Sequence, residues 1–190
     1  MKWKSIVLSL FVMVFLAACG DEKETVSQAI DKKEVESETE TISKGQTEDV
    51  KGLVAEYSAN KTTDEKASIT STQLIVTDTS ENKVTYDLPE DEFFVSIAPY
   101  INETHPCKDH SLTGCQGELV QKEIDVFIEN EKGEVVVDET MKTLENGFVD
   151  LWLPRNEAFI VEMSYDGKSV TGDLTTFEED GTCITTLQLL

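Results

Sequence analysis

The side chains best suited to chemistry lie close together in this chain. Residues 105–115 read His105-Pro106-Cys107-Lys108-Asp109-His110-Ser111-Leu112-Thr113-Gly114-Cys115, an H-x-C-x2-H-x4-C array. The protein has 4 Cys and 2 His, so both imidazoles and half of the thiols fall in this segment, with Cys19 and Cys183 elsewhere. Pro99, Pro106 and Gly114 mark it as an irregular connection rather than a strand. Two chemistries suit such a set. In one, Cys107 and Cys115 close a disulfide-stapled loop and the His are solvated bystanders. In the other, thiolates and imidazole hold a soft metal, as a three-Cys trigonal Cu(I) site or a closed Cys3His Zn site. The spacing does not choose between these metals, and either needs reduced, deprotonated thiols. Two features favour the metal. Beyond Cys19 the Cys count is odd, so a disulfide leaves one thiol over. Cys183 opens the last β-patterned run in strand parity with Leu187 and Leu189, which points it inward, where the loop can fold over it. The competing account of Cys183 is a buried, inert thiol.

Other chemistry finds little support. There is no Cys-x-x-Cys redox motif, no phosphate loop and no serine nucleophile motif. Carboxylates are plentiful, but no pair is placed for acid–base catalysis. Met141, Met163 and Trp152 read as core residues. The chain is therefore not expected to be an enzyme. The alternative to metal binding is thiol chemistry, either reduction of Cu(II) or disulfide exchange, or else a stapled structural or ligand-binding module. With 16 Lys plus Arg against 38 Asp plus Glu, the net charge of −22 excludes nucleic acid as a partner.

The elements around this cluster follow from patterning. Lys2 and Lys4 precede an uncharged apolar run that is too short to span a bilayer, so residues 1–18 read as a signal peptide. Leu16-Ala17-Ala18-Cys19 resembles a bacterial lipobox, which makes Cys19 the lipidated N-terminus of an extracytoplasmic, membrane-anchored protein. Residues 19–48 are rich in Glu, Ser, Thr and Lys and lack aromatics from Gly20 onward, the composition of a disordered acidic tether. Residues 49–88 hold a helical preface and a first β-hairpin. Thr47 can cap the helix, and Val50, Leu53, Val54 and Tyr57 form one helical stripe. From Ile69 the pattern has period two, punctuated by Glu81-Asn82, Asn146-Gly147, Asp166-Gly167 and Asp180-Gly181. The expected fold is mainly β (α+β), a short N-terminal helical segment followed by an antiparallel β-sandwich. Its type is immunoglobulin-like or transthyretin-like, and residues 89–190 are the metal-binding domain.

Several stretches then resemble a known family. These are Phe94-Val95-Ser96-Ile97-Ala98-Pro99-Tyr100, His105-Pro106-Cys107, and the run from His110 to Leu119. Asn146-Gly147-Phe148-Val149, Leu151-Trp152-Leu153-Pro154-Arg155-Asn156 and Thr182-Cys183 continue it, so that roughly residues 90 to 190 are similar to the CueP family of exported copper-binding proteins. The resemblance implies Cys107, Cys115 and Cys183 as copper ligands, with His105 or His110 as a further donor. It implies Cu(I)/Cu(II) as the bound ion, a part in copper tolerance, and delivery to a client cuproenzyme such as copper-zinc superoxide dismutase. The lipid anchor and long acidic tether are departures, since other members are soluble in the periplasm.

Overall fold

The computed structural model describes residues 41–59 and 64–190. The expected signal peptide, Cys19 and the tether as far as residue 40 lie outside the described residues. In chain order the elements are β1 (Ile42–Lys44), α1 (Val50–Ser58), β2 (Lys66–Ile69), β3 (Gln73–Thr77), β4 (Lys83–Asp87), β5 (Glu92–Ile97) and β6 (His110–Ser111). There follow β7 (Glu123–Asn130), β8 (Val135–Lys142), β9 (Val149–Pro154), β10 (Ala158–Tyr165), β11 (Lys168–Thr175) and β12 (Cys183–Ile184). The mainly β architecture with one short helix is the one expected from sequence.

Three sheets form, in the orders β1-β4-β3-β2-β6, β11-β10-β7-β8 and β12-β5-β9. Alternation decides how they stack. In β7, Ile124, Val126 and Ile128 are buried while the residues between them are exposed or half-buried, and β10 buries Phe159, Val161 and Met163 in the same alternation. These side chains meet Phe93, Val95 and Ile97 of β5 and Val149, Leu151 and Leu153 of β9 in the larger core. That contact is the sandwich. Met141 packs partly buried against this core. The opposite face of β5 sends Phe94 into a second core with Val54 and Tyr57 of α1, Ile69, Leu74 and Leu112. Because β5 is covered on both sides, it reads as a nearly continuous apolar run rather than an alternating one.

The local signals act as physical chemistry requires. The cap of α1 is Asp49, whose Oδ1 accepts a hydrogen bond from the Gly52 N–H at 2.7 Å, while Thr47 Oγ1 accepts from the Asp49 N–H at 3.1 Å. The cap thus lies two residues later than expected, and Thr47 instead holds the capping residue itself. Asp166 and Gly167 take φ of 50° and 75° and close the β10–β11 hairpin. Two pairings are parallel where only antiparallel ones were expected. β12 lies beside β5, and β1 lies beside β4. β1 falls within residues 19–48, the segment read as a tether. Its three side chains are exposed, and it is held by backbone pairing that composition does not reveal. Phe93 is fully enclosed between the two sandwich sheets. Phe93→Ala is expected to lower the unfolding free energy by about 3–5 kcal/mol in denaturant titrations.

Candidate metal centre

The Cys-bearing loop has almost no ladder of its own, so side chains and neighbouring strands hold it. Glu118 is the clamp at its base. Its Oε2 accepts hydrogen bonds from the N–H groups of Ile101, Asn102 and Glu103 at 2.6, 2.9 and 3.2 Å, and its Oε1 accepts one from Asn102 Nδ2 at 2.9 Å. The Asn102 N–H foremost, with the Asn102 amide and the other two backbone donors, holds this carboxyl down to about 2. Thr104 Oγ1 donates to the Thr185 carbonyl at 2.6 Å. Further along, the Cys183 N–H donates to the Lys108 carbonyl at 3.0 Å, and the His110 N–H donates to Thr182 Oγ1 at 2.9 Å. Thr182 in turn donates to the Ile69 carbonyl at 2.6 Å. Gly181 is required here by space, because a Cβ would stand 2.7 Å from the Lys108 carbonyl oxygen. Asp180-Gly181 is thus a close-approach point rather than the hairpin turn expected of it.

These ties bring the chemistry together. Cys107 and Cys183 form a disulfide with a Cα–Cα distance of 5.6 Å. Cys115 is free, its Sγ 3.6 Å from Cys107 Sγ and 3.4 Å from the Ser111 N–H that donates to it. A ligand atom from each of His105, Cys107, Cys115 and Cys183 lies within 4.8 Å of every other. Thiolates about 2.3 Å from a shared metal stand about 4 Å apart, so this set fits one soft ion once the disulfide is reduced. The floor is apolar: Ala98, Phe148 and Cys183 are buried, and Cys107 and Cys115 pack on them half-buried. The pairing is 107–183, not the 107–115 staple weighed from the spacing, because the loop folds across the sheet instead of closing on itself.

Cys183 points inward as expected, but into a different layer from Leu187 and Leu189. Those two join the larger core, whereas Cys183 faces the loop. β12 ends at Ile184, and the strand parity drawn through it ends there too.

His110 takes no part in the four-atom set. Its side chain is fully buried, its ring centroid 4.5 Å from that of Phe148, and its Nε2 lies 3.3 Å from Ser96 Oγ. His105 stands on the open side, its ring edge-on to Phe148 at 6.3 Å. Desolvation first, and the nearby His105 second, push the His110 imidazole down to about 4. Ser96 Oγ donates to Asp150 Oδ1 at 2.5 Å, and Ser58 Oγ donates to Asp150 Oδ2 at 2.6 Å. Asp150 is half-buried as a residue, yet its carboxyl is enclosed enough that desolvation holds it above the ordinary range despite both hydroxyls. Sequence reasoning passed over Ser96, Phe148, Asp150 and Glu118. Ser96 and Asp150 did carry a signal, each being a polar interruption in an apolar strand.

Residues 49–188 match the family described as "Periplasmic copper-binding protein CueP". The chain belongs to the CueP family. A solved structure described as the crystal structure of S.CueP is similar at 39% identity, with a TM-score of 0.70, covering 74% of this chain and 88% of that one. No curated protein matches the chain. The CueP family is periplasmic and copper-binding, and its match spans every residue of the four-atom set. Among the described residues no helix is long and apolar enough to cross a membrane.

The buried imidazole gives this CueP-family domain a defined acid response. His110 stays neutral down to about 4 when folded, against an ordinary value of 6.5. Between those values the unfolded chain binds more protons. The contribution is therefore present above the ordinary value and is lost as pH falls toward the folded one. Urea titrations at about pH 7 and about pH 4.5 should show wild type losing about 2 kcal/mol more than His110→Gln.

Proposed function

We propose that this chain is an extracytoplasmic, membrane-anchored protein that binds Cu(I) and sequesters it or passes it on, contributing to copper tolerance or to metallation of a client cuproenzyme such as copper-zinc superoxide dismutase. The observation that carries this reading is the convergence of three sulfurs and the His105 imidazole within 4.8 Å. The proposed ligands are Cys107, Cys115 and Cys183, with His105 as the fourth donor. Cu(I) suits this set because it is soft and tolerates low coordination, while Zn would take all four donors as a closed tetrahedron. Membership of a copper-binding family supports copper as the cargo. The proposed anchor is a lipid on Cys19.

One observation favours a second reading, a thiol-based reduction of Cu(II). The disulfide between Cys107 and Cys183 is the oxidised product that such a reaction leaves. Two thiolates give up two electrons and form the S–S bond, and two Cu(II) ions become two Cu(I) ions. An external dithiol must then reopen the disulfide for another round.

The reading is tested by titrating anaerobically reduced protein with Cu(I) against a competing chelator. Ser at Cys107, Cys115 or Cys183 is expected to weaken binding beyond the roughly 10–100-fold that changes to residues outside the ligand set produce. His105→Ala is expected to do less damage than any of these, and the disulfide form should not bind. Tight binding by all three Ser variants would overturn the site. Cu(I) production from Cu(II) by the reduced protein, with stoichiometric loss of two thiols, would establish the second reading.

The anchor is tested separately. Cys19→Ala is expected to release the protein from the membrane fraction or to block removal of the leader. Unchanged fractionation, with no lipid on the mature N-terminus, would rule it out.

A further inference from the structure

A row of polar side chains crosses the central sheet beside the thiols. Cys183 of β12 pairs with Ser96 of β5, and Ser96 pairs with Asp150 of β9. Directly paired residues project from the same face, so these three side chains share one face. Phe94 and Trp152 flank the row on one side. Ala98 and Phe148, one residue past each strand on that face, flank it on the other and floor the metal centre. His110 reaches down to this row from above. It lies in the loop between Cys107 and Cys115, and its backbone is already tied to Thr182.

The hydrogen bonds along the row have a direction. Both oxygens of Asp150 accept from hydroxyls, one from Ser58 at the end of α1 and one from Ser96. With its proton committed to Asp150, Ser96 Oγ can only accept at its contact with His110, so Nε2 must carry the proton. His110 Nδ1 has no hydrogen-bond partner and is buried. In this tautomer the unpartnered atom is an acceptor. The other tautomer, or a flipped ring, would place an N–H where nothing accepts it, the costlier arrangement in a closed apolar site.

We propose that Asp150, acting through Ser96, is a positioning residue for the thiol centre: it fixes the His110 ring as the Nε2–H tautomer, and that ring seats Phe148 and holds the 107–115 loop over Cys183. Asp150 touches none of the four proposed donors. Its influence passes through two hydrogen bonds and one ring contact, of 2.5, 3.3 and 4.5 Å. This role rests on the copper reading above. It extends that reading to a support that ties helix, sheet and loop to one point.

The test uses Ser96→Ala, Asp150→Ala and the double variant of the full domain, with thermal midpoints recorded alongside. Nitrogen-15 NMR of the metal-free, reduced protein reads the His110 tautomer, which a merely structural residue would leave alone. Wild type is expected to be Nε2–H, and Ser96→Ala to lose that preference. Cu(I) affinity should fall roughly tenfold in each single variant, the lower end of what support residues around metal sites contribute. The double variant should bind Cu(I) no worse than Ser96→Ala, because Asp150 reaches the thiol centre only through that hydroxyl, its other bond going to Ser58 of α1. If Asp150→Ala does not fold, Ser96→Ala alone decides through its tautomer and affinity, since it removes one oxygen atom. An unchanged tautomer in Ser96→Ala, or losses that add in the double variant, would overturn the positioning role while leaving the copper reading intact. A wild type that takes up no Cu(I) would instead overturn the copper reading and this role with it.

Discussion

Strand β5 is buried on both faces, and the rest of the molecule is arranged around it. Side chains alternate along a strand, so Phe93, Val95 and Ile97 must serve one core while Phe94, Ser96 and Ala98 serve another. The sandwich with the β11-β10-β7-β8 sheet takes the first set. The layer of α1, β2 and β3 takes Phe94, and the thiol centre takes Ala98. A slip of one residue in the β5–β9 register would send Phe93 toward the α1 layer and Ser96 into the larger core. That pairing therefore sets the candidate metal centre as firmly as it sets the fold.

The loop that supplies two of the thiols depends on the same strand for its support. A connection without its own ladder must satisfy its backbone groups elsewhere. Here one Glu118 carboxylate gathers three consecutive N–H groups, and Thr182 links the loop to β2. The C-terminal segment runs beside the continuation of β5, with the Ala98 N–H donating to the Ile184 carbonyl at 2.8 Å and the Leu189 N–H donating to the Tyr100 carbonyl at 2.8 Å. Cys183 is thus fixed by sheet pairing, and Cys107 and Cys115 are brought to it. Rigid support beneath and side-chain clamps above suit a centre whose donor atoms must hold a defined spacing.

Charge and softness do different work in this protein. A net charge of −22 over the full sequence raises the concentration of cations in general around the protein. It does not discriminate among them, because carboxylates also suit Mg, Ca and Mn. In the reading proposed above, selection for copper falls to the sulfurs and the imidazole, which sit on an apolar floor. On that reading the oxidation state of the Cys107–Cys183 pair would gate the selection, since a disulfide sulfur cannot serve as a thiolate ligand.

By itself, the sequence determined the composition of the centre and the class of the fold. Period-two patterning from Ile69, the helical stripe of Val50 to Tyr57 and the positive-φ dipeptide Asp166-Gly167 are local signals, and local signals survive without tertiary context. The crowding of Cys and His into residues 105–115 was equally plain, as was their similarity to the copper-binding family that the chain proved to belong to. Tertiary structure decided which of these residues meet. Cys107 is bonded to Cys183, 76 positions away, and not to Cys115 only 8 away, because sheet pairing carries β12 under the loop. The two His of one motif part company for the same reason. His105 stands with the sulfurs, while His110 turns under Phe148 to a serine on the central strand. Spacing along a chain measures neither distance nor direction once a loop is folded across a sheet. The Asp150–Ser96–His110 chain draws on three separate strands, so it existed nowhere in the sequence until their register brought it together.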